Sequence, residues 1–388
     1  MDNTKKAKIL YLITQGEFGG AQHYIYDLCR KLKDIYEIEV AFKKDDKSKN
    51  FKSLLDNLGI KYHELNELRR EVNLKQDFKA IKEIRELIKK IKPQIVHLNS
   101  SKMSVVGSLA QIGLKTKLVY TAHGWVFNED SSSREKSKYI MAERFTAMFK
   151  DKIICVSEFD RQSAITKHIC NKNKLSTIHN GIDDFELLDK ETAQSEISKH
   201  IDDFSKFLSA DFVIGSIGYL YKNKGFDYLI NSVKLLTEKN LNPLLIIIGN
   251  GPEENELRNW IDQLKLHNNV VLLGEIKNAS RLLKAFDIYA CSSTKEGLSY
   301  TLIEAMTASL PIVTTNVGGN PELITHQKEG LVIEAANAEE LAINILKLKN
   351  DSDLAKKYAE TAHKKAINEF AIEQMIQKTK YIYESLLN

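Results

Sequence analysis

The 388-residue sequence has no apolar run approaching bilayer length, which argues against a membrane-spanning helix. The short run at 9–13 follows Lys5, Lys6 and Lys8. It is too brief for a signal-peptide core and no small-residue cleavage site follows, so it reads as a first strand. There are only four cysteines, Cys29, Cys155, Cys170 and Cys291. They form no Cys-x-x-Cys pair and lie in apolar segments, so they read as reduced core thiols rather than metal ligands, and a cytoplasmic location is expected. A strict Gly-x-Gly-x-x-Gly is missing, so a dinucleotide fingerprint is not supported. Asp-x-Asp occurs once, at Asp351-Ser-Asp353, where a helix start makes capping the better reading; neither a metal nor any other cofactor is expected. No nucleic-acid-binding module is recognisable and the net charge is a modest +4, which excludes nucleic acid as the expected partner.

What is present is an ordinary soluble composition, 43% hydrophobic and 28% charged, on a chain too long for one core. The charge is uneven. Residues 1–190 hold 35 Lys and Arg against 26 Asp and Glu, while the remainder holds 21 against 26, so the halves have different partners. Short apolar strands are expected at 9–13, 37–42, 60–63, 95–98, 118–121, 152–156 and 175–178. A second series follows at 212–217, 244–248, 270–273, 288–291, 312–315 and 331–333. Near-continuous runs such as Leu244-Leu-Ile-Ile-Ile248 suit sheets buried on both faces. The polar stretch 183–210 places a boundary between two doubly wound α/β domains, 1–185 and 186–370, with a terminal helix over 371–388. That helix offers Met375, Tyr381, Ile382 and Leu386 to pack back on the first domain.

The stretch from Cys291 to Met306 carries the chemistry. It reads as strand, loop and helix start, with Gly297 admitting close approach of a ligand and Ser299 capping a helix whose first amides favour an anion. Glu296 and Glu304 would repel that anion. Eight residues of helix span about 12 Å, so the two carboxylates address separate hydroxyl-rich groups, as at the two ends of a nucleotide sugar. Lys224 opens a helix after Gly218-Tyr-Leu-Tyr-Lys222, and a cation there opposes the helix dipole unless an anion is bound. Similar strand-to-glycine turns occur at Gly19-Gly20 and Gly249-Asn-Gly251-Pro252. His123-Gly124 ends a strand at the ligand-facing edge of the first sheet; His97 ends another with no glycine after it. The serine-rich segment 129–138 reads as a mobile loop beside the site. The helix at 77–91 places Phe78, Ile81, Ile84, Ile88 and Ile91 on one face, and Lys79, Lys82, Arg85, Lys89 and Lys90 on the other. That second face is either solvated or turned to an anionic surface.

Taken together these residues resemble glycosyltransferase family 4, the retaining, sugar-nucleotide-dependent enzymes of the GT-B fold. The specific part is Glu296-Gly-Leu-Ser followed by Glu304-Ala-Met306, with Gly318-Gly-Asn-Pro-Glu322 and Lys224-Gly225 in the same order. The resemblance implies two Rossmann-like domains facing across a cleft. Glu296 would bind the donor sugar, Glu304 the ribose, and Lys224 with the amides around Leu298 and Ser299 the diphosphate. Gly19, Gly20, Gly218 and Gly297 would line the donor site, and His123 would lie by the leaving group. One position departs: the family's Gly-Arg-Leu is Gly218-Tyr219-Leu220 here, which leaves Lys222 as the substitute cation. The implied activity is hexosyl transfer with retention from a nucleoside-diphosphate sugar, a UDP-sugar by preference, to a glycan or lipid-linked acceptor in polysaccharide or glycolipid biosynthesis. The alternatives are a sugar-nucleotide epimerase, another GT-B enzyme or a non-catalytic sugar-nucleotide binder. Ten basic against three acidic residues between Lys75 and Lys117 point to peripheral contact of the first domain with the cytoplasmic face of an anionic membrane.

Overall fold

The computed structural model describes residues 6–129, 131–201 and 205–388. The chain divides into two units. The first comprises Met1–Asn180 with Glu373–Asn388 and the second Gly181–Ile372, against the expected breaks at 185/186 and 370/371. In the first unit seven parallel strands form one sheet: β1 (Lys8–Leu12), β2 (Glu37–Lys43), β3 (Lys61–Leu65), β4 (Ile95–Leu98), β5 (Lys117–Ala122), β6 (Lys152–Cys155) and β7 (Leu175–Thr177), in the order β3-β2-β1-β4-β5-β6-β7. In the second, β8 (Phe212–Ile217), β9 (Pro243–Ile248), β10 (Val270–Leu272), β11 (Ile288–Cys291), β12 (Ile312–Thr315) and β13 (Leu331–Ile333) follow the order β10-β9-β8-β11-β12-β13, also parallel. Each is a doubly wound sheet, and its order reverses between β1 and β4 in one unit and between β8 and β11 in the other. Ligands settle in the crevice that such a reversal opens beyond the strand C-termini.

Helices cover both faces of each sheet, so the inner strands are largely apolar and buried: all six residues of β9 are buried. The helix Gly20–Leu32 buries Ile25, Leu28, Cys29 and Leu32 as its periodicity requires. Other details differ from expectation. Segment 129–138 is not a loop throughout; Ser132 and Glu135 form a reciprocal capping box that starts the helix Ser133–Ala147. Asp130 lies outside the described residues, as do Asp202, Asp203 and Phe204 of the 183–210 stretch. The helix Leu74–Ile91 begins earlier than its apolar pattern suggests and buries Ala80, Ile84, Ile88 and Ile91. Phe78 lies about 120° round from that stripe and is exposed. In the terminal helix Ile372–Leu387, Tyr381 faces solvent and Tyr383 is the buried ring. Asp351 caps the helix Ser352–Glu369 by accepting the Leu354 N–H at 3.0 Å.

Candidate active site

At the β8/β11 reversal, two loops are stitched together by the backbone. The Thr294 N–H donates to the Asn223 carbonyl at 2.8 Å, and the Ser292 hydroxyl to the Lys224 carbonyl at 3.0 Å. Two glycines permit this closeness. A Cβ on Gly225, at φ +61°, would meet the Ser292 carbonyl oxygen at 2.3 Å, and one on Gly318, at φ +52°, would meet that of Glu296 at 1.9 Å. Gly297 has no left-handed backbone; its carbonyl accepts from the Gly319 N–H at 2.9 Å and so pins the loop.

These loops bring Lys224 and Glu296 together, with Nζ and Oε1 2.6 Å apart. The Ser293 hydroxyl donates to the same carboxylate oxygen at 2.6 Å. Burial works against the Lys224 ammonium, but the Glu296 carboxylate outweighs it and the lysine pKa rises above its usual value. Ser299 caps the helix Tyr300–Thr307 by accepting the Leu302 N–H at 3.3 Å, with Leu298 buried behind it. The other first-turn amides have no helical acceptor. Further along that helix the carboxylate of the half-buried Glu304 has no hydrogen-bond partner among the described residues, and burial pushes its pKa up to about 7. Gly218 hands the chain on from β8, its N–H bonded to the Ile248 carbonyl at 3.0 Å, and lies in ordinary contact range of the Lys224 side chain. Lys222 is exposed beside it, and the Tyr219 ring stacks on Tyr221 with centroids 5.8 Å apart.

The first unit presents its own set at the C-terminal strand edge. Gly19 is the extended cap of the helix Gly20–Leu32, whose first turn holds no acid. Gln22 closes that loop, accepting from the Gly19 N–H at 3.2 Å and donating to the Gln15 carbonyl at 2.7 Å. His123 follows β5. Its Nε2 is buried with no partner among the described residues, the Tyr24 ring and the imidazole meet edge to face with centroids 4.9 Å apart, and burial lowers its pKa to about 3, so the ring is neutral. His97, by contrast, is fully engaged: Nδ1 bonds the Tyr383 hydroxyl at 2.6 Å and Nε2 the Thr121 hydroxyl at 2.7 Å. It is a structural residue of the sheet.

Two family profiles match this chain in succession: "Glycosyltransferase Family 4" over residues 18–184 and "Glycosyl transferases group 1" over 198–365. The chain belongs to glycosyltransferase family 4. It is 28% identical over 318 residues to the Escherichia coli UDP-Gal:alpha-D-GlcNAc-diphosphoundecaprenol alpha-1,3-galactosyltransferase, covering 81% of each chain. It is 26% identical over 323 residues to the Staphylococcus aureus capsular polysaccharide biosynthesis glycosyltransferase CapM, covering 82% of this chain and 84% of that one. Anabaena HepE in complex with UDP and glucose superposes with a TM-score of 0.84 at 23% identity, over 98% of this chain and 100% of that one, so the glycosyltransferase has the GT-B fold.

Within the glycosyltransferase, the second unit gathers Gly218, Lys222, Lys224, Glu296, Gly297, Leu298, Ser299 and Glu304 at one sheet edge, and the first unit sets Gly19, Gly20 and His123 at another. Sequence reasoning missed four supporting residues. Ser293 stood in the quoted motif without a role, although its place three residues before Glu296 allows the bond it makes. Tyr24 and Tyr383 carried no local signal, because their partners come from other elements, whereas Gln22 sits at the capping-box position three residues after Gly19. Among the described residues no three His, Cys, Asp or Glu side chains are grouped as a metal ion would need.

Proposed function

We propose that this glycosyltransferase moves a hexosyl group from a UDP-sugar, with retention of configuration, to a lipid-linked glycan acceptor. The observation that carries the reading is the Lys224–Glu296 pair at the β8/β11 reversal, with the open carboxylate of Glu304 on the helix Tyr300–Thr307 that follows the Glu296 loop. The diphosphate takes Lys224, Lys222 and the first-turn amides after Ser299; Glu304 accepts from the ribose hydroxyls and Glu296 from those of the sugar. In the first unit the neutral imidazole of His123, with no partner for Nε2 among the described residues, and the loop at Gly19 and Gly20 are groups able to receive a sugar hydroxyl or a phosphate oxygen.

The hard step is expulsion of UDP as positive charge grows on the sugar ring, and preorganised cations at the departing phosphate lower that barrier. The acceptor hydroxyl attacks the face that UDP leaves, and a phosphate oxygen takes its proton. Lys224 and the helix N-terminus balance the diphosphate, so no divalent metal is required; full, reversible loss of activity with a chelator would contradict this. Support for the lipid-linked acceptor comes from the excess positive charge of the first unit, which suits an anionic membrane surface. A thermal-shift screen against UDP-, GDP-, ADP- and dTDP-sugars tests the donor. Stabilisation by UDP-sugars is expected, and its absence with preference for another base would overturn the assignment.

A further inference from the structure

The structure splits the basic segment 75–117 into charges already used and a small surface that is not. Arg85 donates to the Ala110 and Ile112 carbonyls at 2.9 and 2.6 Å, Lys102 pairs with Asp77 at 2.5 Å and Lys89 with Glu86 at 2.8 Å. Lys79 and Lys117 are paired too, with Glu67 at 3.9 Å and Asp151 at 3.6 Å; of the basic residues without an ion pair among the described residues, Lys75 and Lys82 lie in the first half of the helix Leu74–Ile91. At its start Val72, Leu74 and Phe78 are 69%, 85% and 58% exposed, three large apolar side chains within seven residues. We infer that this patch inserts into the surface of an anionic lipid bilayer and holds the first unit against it.

The backbone beneath the patch is firmly tied. Asn73 caps the helix by accepting the Gln76 N–H at 3.0 Å, Gln76 reaches back to the Glu67 carbonyl at 2.8 Å, and Glu83 accepts from the Asn66 and Glu67 amides at 2.8 and 2.9 Å. The apolar side chains are therefore held outward by a satisfied scaffold, at a cost in exposed apolar surface that a lipid contact removes. Lys75 and Lys82 flank the patch, Lys82 lying 4.6 Å over the Phe78 ring, while Lys79 is shared with Glu67 at 3.9 Å and Glu71 is an exposed acid nearby. Apolar side chains beside lysines on a helix end match the acyl boundary and phosphate layer of an anionic bilayer. The segment follows β3, at the strand edge that carries the β1/β4 crevice, two strands or about 10 Å away. A lipid-linked acceptor must keep its tail in the bilayer while its sugar enters such a crevice, so the inference rests on the lipid-acceptor reading. The apolar stripe Met141, Phe145 and Met148 on the helix Ser133–Ala147 is also exposed, but it occupies the half of that helix away from the crevice edge.

Sedimentation of the full chain with phosphatidylglycerol-containing and with neutral vesicles, at low and high ionic strength, tests the surface. Wild type should bind the anionic vesicles in a salt-sensitive way. Val72→Ser/Leu74→Ser/Phe78→Ser should bind roughly tenfold or more weakly with an unchanged unfolding midpoint, since each apolar side chain loses its burial. Met141→Ser/Phe145→Ser/Met148→Ser should bind like wild type. Wild-type binding by the first variant, loss confined to the second, or no vesicle binding by wild type overturns the inference. Transfer by wild type to water-soluble acceptors but not to lipid extracts would remove the acceptor reading alone, and vesicle binding would still decide the surface.

Discussion

Glu304 titrates where it can be watched. Its pKa is raised by burial from the usual 4.5 to about 7, with no partner among the described residues to hold the charge. A group raised in this way adds to stability below its unfolded pKa, and the contribution is lost as pH climbs through the folded one, here between about 4.5 and 7. At about 1.36 kcal/mol per pH unit the bound is roughly 3 kcal/mol, and partial solvent access at the half-buried side chain brings it nearer 2. Glu304→Gln, which cannot ionise, should match wild type near pH 5. It should unfold roughly 5 °C higher near pH 8, since 1 kcal/mol moves the midpoint of a unit this size by about 2–4 °C. Donor binding should run the other way. If only the carboxylate holds the ribose, wild type at about pH 6 is some one-tenth competent and binds UDP-glucose about tenfold more weakly than near pH 8. Glu304→Gln should bind more weakly than wild type near pH 8 and show no such slope, and the comparison cancels any titration of the ligand. Calorimetric unfolding and equilibrium titration across that range measure both. Parallel pH profiles for the two proteins would refute the placement of a raised carboxyl at the ribose.

Glu296→Gln should lower turnover by about a hundredfold, the order expected when a charged group is removed from a transition-state site. UDP affinity should hold or improve, because the 2.6 Å bond from Lys224 no longer competes with phosphate; a rise in Kd with unchanged turnover would reverse the roles. Tyr219→Arg, restoring the family's cation at the cost of the Tyr221 stack, should tighten UDP binding roughly tenfold, the scale of one charged hydrogen bond. Unchanged affinity by calorimetry would show that Lys222 already fills the place. Tyr383→Phe removes the partner of His97 Nδ1 and should cost about 1–3 kcal/mol in denaturant unfolding; a change within experimental error would mean that the imidazole finds another acceptor or donor.

The strands were legible because both sheets are covered on each face, so the inner strands are mostly apolar runs; Ile288–Cys291 and, despite His97, Ile95–Leu98 fall at the residues expected. Periodicity alone misjudged Phe78 and Tyr381. Both satisfy helical spacing, yet each lies off the stripe that neighbouring elements cover, which no local pattern records. The Ser132–Glu135 capping box was readable but was outweighed by the serine-rich composition around it. In the site, the carboxylates stood out because acids beside an anion-binding helix start demand an explanation. That Lys224 bonds Glu296 was hidden, since the two are brought together by strand order rather than by sequence distance.

The central claim, that the β8/β11 crevice drives sugar transfer from UDP, is tested most directly by UDP release. Purified enzyme is incubated with UDP-sugars and a bacterial lipid extract, and free UDP is followed for wild type and Lys224→Ala. UDP should accumulate with wild type only when extract is present, and about a hundredfold more slowly with Lys224→Ala, since a cation at the leaving phosphate is lost. Equal rates for the two proteins, or no UDP from any UDP-sugar, would contradict it.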